Sequence, residues 1–438
     1  MVHARSFADD PFQAGTLLEK VVCRTDATQS YALYIPVRGK LPLPVVYLFD
    51  PHGDGTLPLK KYKPLADAYG FILAGSNNSR NGNDWQTTEN IWQHLLEDTK
   101  ARLNIDDKRV YTCGFSGGAK VASYIALQHR EIKGVLVGGA GLPDGVQAGN
   151  FSFSFTIMAG EGDMNLTDLV AVNDELNGTR TRHRMIIFDG KHEWAPKDIM
   201  NVAFASLTLD AMRDGVIPRD NALVSAYIAK SRARLDVYSK TGQLMKAQRE
   251  CSLSSLLLEG LTDEAGWFRQ QLTSISGDPR YQQQRQVQEA LLTREQSIKA
   301  GYMQHFQQMD KQYWTATIHD LNTKAAVQSV EKAMYQRLLA YLSLAFYSLS
   351  NRLIVANENN GARYFTDLYK LADPSNSEAW YFSAVLHARE KDPRAAESDL
   401  LKALENGFRD KERLMQQQEF RNMDLSRVIA ALQRGSSR

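Results

Sequence analysis

The stretch Val110-Tyr-Thr-Cys-Gly-Phe-Ser-Gly-Gly-Ala-Lys-Val121 constrains this chain more than any other. Val110, Tyr111 and Thr112 favour a strand. Gly114, Ser116 and Gly118 satisfy the pattern G-x-S-x-G. From Ala119 onward, Val121, Ala122, Tyr124, Ile125 and Leu127 recur as the buried face of a helix. A strand, a sharp turn and a helix in that order make a nucleophile elbow. The serine occupies a strained turn, so its neighbours must be small where strand and helix pass close. The turn lifts the hydroxyl clear of the backbone, and the N–H of Gly117 opens the helix and can face a developing oxyanion.

The surrounding text supports a large α/β unit. Continuous apolar runs such as Val45–Phe49 and Phe71–Ala74 read as strands buried on both faces. Thr16–Cys23 and Ser30–Ile35 read as an antiparallel edge, and further strands are expected over 134–137, 153–158 and 185–188. Helices are expected over 62–69, 88–103 and 196–212. Strands alternating with helices mean a mostly parallel sheet covered on both faces. After Gly215-Val216-Ile217-Pro218 the β-type runs stop, and Gln, Leu, Ala, Arg and Lys dominate. The expected organisation is therefore a tail over 1–15, an α/β unit over 16–214, a helical region over 221–330 and a second helical region over 331–434.

Two partners for Ser116 follow in the chain order such an elbow requires, an acid and then a histidine. Gly160-Glu161-Gly162-Asp163 comes directly after a strand, at the edge where parallel sheets carry their sites. Asp163 is the candidate acid, with Glu161 and Asp168 as alternatives. Lys191-His192-Glu193-Trp194 follows the last strand, and His192 is the candidate base. The second oxyanion donor is expected from the loop Asp50-Pro51-His52-Gly53-Asp54-Gly55, with Asp54 preferred. The Asp54 carboxylate would repel an oxyanion, so it is expected to turn away or to pair with Arg80 or Lys191. Trp85 and Trp194 are candidates for the pocket wall, since amphipathic aromatics suit aryl or sugar groups.

Composition removes other classes. Fifty-two basic residues against fifty acidic ones give a net charge of +2, which offers no support for nucleic-acid binding. No apolar run reaches about 18 residues, so no membrane span is expected. Three cysteines, with Cys113 inside the elbow strand, match no zinc spacing, and neither a metal nor an organic cofactor is expected. The N-terminal residues carry no apolar signal core. The protein is either cytoplasmic or begins after a removed export signal.

Arg109–Gly118, His52-Gly53 and Gly190-Lys191-His192-Glu193-Trp194 together resemble the α/β-hydrolase superfamily over residues 16–214. Within it they are most similar to the polyhydroxybutyrate-depolymerase and feruloyl-esterase branch. That resemblance implies a secreted or periplasmic esterase acting on a small or carbohydrate-linked ester. Asp50-Pro51 and Asp54 depart from the branch pattern around His-Gly. Pro374, Trp380, Ala384, Ala396, Leu400 and Ala403 fall at tetratricopeptide spacings, with Trp380 expected between two antiparallel helices. A helical pair of that kind implies a protein partner or self-association. The residues thus point to a serine ester hydrolase. A serine peptidase with the same three residues and a non-catalytic binding scaffold are the alternatives.

Overall fold

The chain first alternates strands and helices, because short runs of Val, Ile, Leu and Phe are separated by amphipathic segments. The computed structural model describes residues 12–306, 308 and 310–435. In order come β1 (Leu17–Val22), β2 (Ser30–Tyr34), β3 (Leu43–Phe49), α1 (Thr56–Tyr69), β4 (Ile72–Ser76), α2 (Trp85–Arg102), β5 (Ile105–Phe115) and α3 (Gly117–Gln128). Then follow β6 (Ile132–Gly138), β7 (Ser154–Gly160), α4 (Leu166–Asn177), β8 (His183–Phe188) and α5 (Lys197–Arg213). All seven residues of β3 and all seven of β7 are buried, which is why both runs lack charged residues.

These strands form one eight-stranded sheet in the order β1-β2-β4-β3-β5-β6-β7-β8. β2 pairs antiparallel with β1 and β4, and the pairs from β4 through β8 are parallel. Two apolar cores lie on the two faces. One contains Tyr31, Tyr47, Phe49 and Trp92, the other Leu48, Tyr111, Met158 and Phe204. Tyr47 Oη and Thr99 Oγ1 satisfy each other at 2.7 Å inside the first. This sheet order, with the helix-flanked parallel strands, is that of the α/β-hydrolase fold.

α1 and β5 begin well before the sequence suggests. α1 starts at Thr56 because the Asp54 carboxylate accepts the N–H groups of Thr56 and Leu57, each at 3.0 Å. β5 starts at Ile105, since Ile105 pairs with Leu43 although the next residues are charged.

Three helices follow: α6 (Asn221–Lys240), α7 (Leu244–Leu258) and α8 (Glu264–Ser276). Their apolar faces do not make a separate core. Val224, Tyr227, Leu235, Ala247, Cys251 and Leu257 share one with Met200, Phe204 and Leu207. The Arg213 guanidinium, at the end of α5, donates to the carbonyls of Leu256, Leu257 and Glu259 at 2.7–2.8 Å. The chain accordingly divides into one compact unit running to Ala290 and another beginning at Leu291, rather than near Asp214–Asp220. α9 (Pro279–His305) runs through that division.

The second unit contains α10 (Lys311–Ala326), α11 (Lys332–Val355), α12 (Asn359–Ala372), α13 (Ser377–Arg389), α14 (Pro393–Glu405), α15 (Lys411–Gln416) and α16 (Ser426–Gly435). α11 is long and apolar enough, by length and composition, to cross a membrane. Its Met334, Leu338, Leu342 and Phe346 lie in the core of this unit. Glu295 is fully buried there and is held by Arg337 Nε and Lys299 Nζ, each at 2.7 Å. Ala384, Ala396, Leu400 and Ala403 are buried, as their spacing requires for two close helices. Trp380 is half-buried against this core. Its Nε1 donates to Pro374 O at 2.8 Å, and Lys370 and Lys402 lie over its ring.

Candidate active site

Ser116 lies between β5 and α3 with φ 53° and ψ −123°, a strained conformation for a residue with a side chain. The strain is held by close packing. A Cβ on Gly114 would overlap Gly118 O, and one on Gly118 would overlap Phe49 O. Both positions must therefore be glycine for α3 to meet β3 and β5. Ser116 N donates to Gly138 O at 2.8 Å and fixes the turn from the β6 side.

The structure brings Ser116, His192 and Asp163 together. His192 Nε2 lies 2.9 Å from Ser116 Oγ, and His192 Nδ1 lies 3.0 Å from Asp163 Oδ1. The Asp163 side chain is 1% exposed and that of His192 19%, so the acid is shielded while the imidazole edge faces solvent. Asp163 Oδ1 also accepts Asn165 N at 2.9 Å, and Asn165 Nδ2 donates to Gly139 O at 2.8 Å. A Cβ on Gly139 would sit 2.8 Å from His192 Cε1, so glycine leaves room for the ring. The Phe115 ring packs 4.7 Å from the imidazole.

The loops carrying acid and histidine are laced together beyond the strand ends. Glu161 N donates to Phe188 O at 2.7 Å and Gly162 N to Gly190 O at 2.8 Å. The alternative acids lie elsewhere. Glu161 faces Arg249 of α7 at 3.8 Å, and Asp168 is in the first turn of α4.

Asp50 explains the departure from the usual sequence before His-Gly. It is 2% exposed, and its Oδ2 accepts Trp194 Nε1 at 2.8 Å while Oδ1 accepts His52 N at 2.9 Å. Burial favours the neutral acid, but the hydrogen bonds from His52 and Trp194 outweigh it and hold the carboxyl below its ordinary range. One carboxylate thus joins the loop after β3 to the loop after β8. α1 supports the same join, with Lys61 Nζ on Trp194 O and Tyr62 Oη on Ala195 O, both at 2.7 Å.

The remaining candidates separate. Gly117 follows the serine as the first residue of α3. The Asp54 side chain caps α1 and pairs with neither Arg80 nor Lys191. Trp194 is no pocket wall: it is 7% exposed, hydrogen-bonded to Asp50 and packed against Phe115 and Tyr62. Trp85 is 42% exposed at the start of α2, with one face stacked on Tyr124 at 4.5 Å.

Asn81 carries no sequence motif, yet it touches the site. A Cβ on Gly117 would overlap Asn81 Oδ1. Asn81 N donates to Pro51 O at 2.8 Å, and His52 and Arg80 form an antiparallel bridge. The polar loop after β4 is thereby seated against the loop after β3. Only its turn-rich composition was available in the sequence. Among the described residues no group of His, Cys, Asp and Glu is arranged to hold a metal ion.

The fold is the α/β-hydrolase fold, and Ser116, His192 and Asp163 are hydrogen-bonded in series at the C-terminal edge of its sheet. Solved structures similar to the chain include FphF, a fluorophosphonate-binding serine hydrolase of Staphylococcus aureus, at 12% identity and a TM-score of 0.37, covering 44% of this chain and 99% of that one. An esterase of Pyrobaculum calidifontis matches at 11% identity and a TM-score of 0.38, covering 47% of this chain and 88% of that one. A ferulic acid esterase matches at 13% identity and a TM-score of 0.33, covering 43% and 94%. No model of a known protein family matches the chain, and no curated protein sequence does.

Proposed function

We propose that the first unit is a serine hydrolase of carboxylic esters. The observation that carries this reading is the continuous series from Ser116 Oγ through the His192 imidazole to the buried Asp163 carboxylate. In this reading Ser116 Oγ attacks the ester carbonyl as His192 Nε2 takes its proton. The proton then passes to the departing alcohol, leaving an acyl-serine. Water attacks the acyl group by the same route in reverse, with His192 as base and then acid. Asp163 holds the imidazole with Nδ1–H toward itself, so that Nε2 is free to accept. The tautomer follows from this pairing. The N–H groups of Gly117 and of the 50–55 loop, Asp54 in particular, face the oxyanion. The motif resemblance favours a small or sugar-linked ester of the feruloyl or acetyl kind. The second unit takes no part in the chemistry and serves to bind a protein or a second copy of the chain.

The test is labelling by a fluorophosphonate probe together with turnover of a small aryl acetate. The wild-type chain should label at one serine. Ser116→Ala should not label, and its turnover should fall by roughly 10⁴-fold. An unlabelled wild type, or labelling that persists in Ser116→Ala, would overturn the reading.

A further inference from the structure

A cleft of about 550 Å³ is lined largely by the 77–84 loop, and its lining differs from an acyl-chain pocket. Arg80, Asn81, Asn83, Asp84, Gln29 and Thr87 contribute to it, and Ile91 is its one large apolar residue. It adjoins the site by direct contact, since Asn81 Oδ1 lies against Gly117. Arg80 is held at the wall by its bridge to His52 and by the contact of its Cβ, 3.6 Å from where a Cβ on Gly53 would lie. The wall is thereby seated against the loop after β3, one of the segments that would supply an oxyanion N–H.

The cleft holds two charged side chains, and they are differently engaged. Asp84 Oδ1 accepts Thr87 N at 2.7 Å and caps α2, so its carboxylate is turned to the helix end. Arg80 is exposed, and among the described residues its guanidinium forms no ion pair. The charge in the cleft that has no bonded partner is thus positive, carried by a planar donor fork suited to a carboxylate. Amide side chains at Asn81 and Asn83 would lose water to an alkyl chain and gain nothing in return, which disfavours fatty acyl groups. An acetyl group would leave most of the cleft unfilled.

We propose that this cleft selects esters bearing a carboxylate several atoms from the scissile bond, with Arg80 as the specificity-determining residue. The proposal rests on the serine-hydrolase reading and deepens it. The experiment compares matched substrates at low salt. One pair is the monoaryl ester of glutaric acid and its methyl-capped diester. The other is the acetate of 4-hydroxybutanoic acid and that of its methylamide. In at least one pair the free carboxylate should be preferred by about 10- to 100-fold in kcat/KM, chiefly through KM. Arg80→Gln should bring that ratio close to one, and Arg80→Lys should restore part of it. Added salt should reduce it. Equal rates within both pairs, or a preference that survives Arg80→Gln, would overturn the proposal while fluorophosphonate labelling of Ser116 persists. A chain that neither labels nor cleaves any of the four esters would overturn the hydrolase reading, and this proposal with it.

Discussion

Replacing Asp50 with asparagine should unfasten the two site loops from each other. Asp50 is buried; its Oδ1 accepts His52 N at 2.9 Å and lies 3.4 Å from His52 Nδ1, and its Oδ2 accepts Trp194 Nε1 at 2.8 Å. Asparagine offers one oxygen and one NH₂, so one buried donor must face another donor. A hydrogen bond to a charged group is worth about 1.5–3 kcal/mol, and an unsatisfied buried donor costs about 1–3 kcal/mol. Removing the buried charge recovers part of its desolvation cost, so the net loss is placed at about 2 kcal/mol. Asp50→Leu leaves both donors unsatisfied and should lose about 3–5 kcal/mol.

The same carboxylate predicts a pH signature. Its folded-state pKa is lowered, because the His52 and Trp194 hydrogen bonds outweigh burial. The unfolded chain therefore takes up the proton first, near its ordinary value of about 3.9. The stabilisation is complete above that pH and is lost as pH falls through the folded value. The gap between wild type and Asp50→Asn should narrow below about pH 4. Urea unfolding of the first unit, read by hydrogen exchange of β3 amides, measures it. A gap under about 0.5 kcal/mol at pH 7, or one unchanged at pH 3, would refute the assignment of both bonds to Asp50.

Other substitutions test neighbouring contacts. Ser116→Ala and His192→Ala together should cost little more turnover than either alone, because they act as one unit, and additive losses would break the series. Gly117→Ala should slow fluorophosphonate labelling by displacing Asn81. Adding Asn81→Gly should recover at least about tenfold of it if steric overlap is the cause. Asp54→Ala should destabilise α1 by about 1 kcal/mol and Asp54→Asn by less, measured by urea unfolding, since the side chain acts as a cap. Ala396, fully buried on α14, should not accept a charge. Ala396→Arg should cost about 3–5 kcal/mol and expose residues 377–405 to limited proteolysis, and undiminished protection would show that the two helices do not depend on this contact.

Much of the first unit was legible because its physics is local in sequence. Strands buried on both faces must be continuously apolar, and the elbow needs small residues at fixed offsets, so β3, β5, Ser116 and the order of Asp163 and His192 could be read directly. α1 begins at Thr56, ahead of the expected start at Tyr62, and its prolines do not forbid this. Pro58 falls at the third helical position, where no intrahelical N–H bond is required, and Pro64 is accommodated further in. The charged start of β5 hides a strand, since Asp106 is engaged locally by Arg109 Nε at 2.6 Å. Trp194 was misread for another reason. An indole suits a pocket wall or a core equally well, and only its bond to Asp50, 144 residues away, decides between them. Asn81 had no signal at all, because its contact to Gly117 depends on how two loops close over the sheet edge.

The helices after Asp214 raise the question of whether they belong to the chemistry. Arg249 of α7 comes within 3.8 Å of Glu161, two residues before Asp163. That pair is long, and both side chains are partly exposed, at 24% and 35%. Such a contact is worth at most about 1 kcal/mol, too little to set the position of the acid loop. The loop is instead held by its own backbone bonds to Phe188 and Gly190. What α6, α7 and α8 do contribute is cover. Leu253, Leu257 and Tyr227 share a core with Met200, Phe204 and Leu207 of α5, whose apolar faces would otherwise meet water. At about 25 cal/mol per Å² of apolar surface, even a few such side chains outweigh the ion pair. These helices act on the site through the stability of the sheet and helices beneath it, which is why a boundary drawn from composition at Asp214 cuts through a shared core.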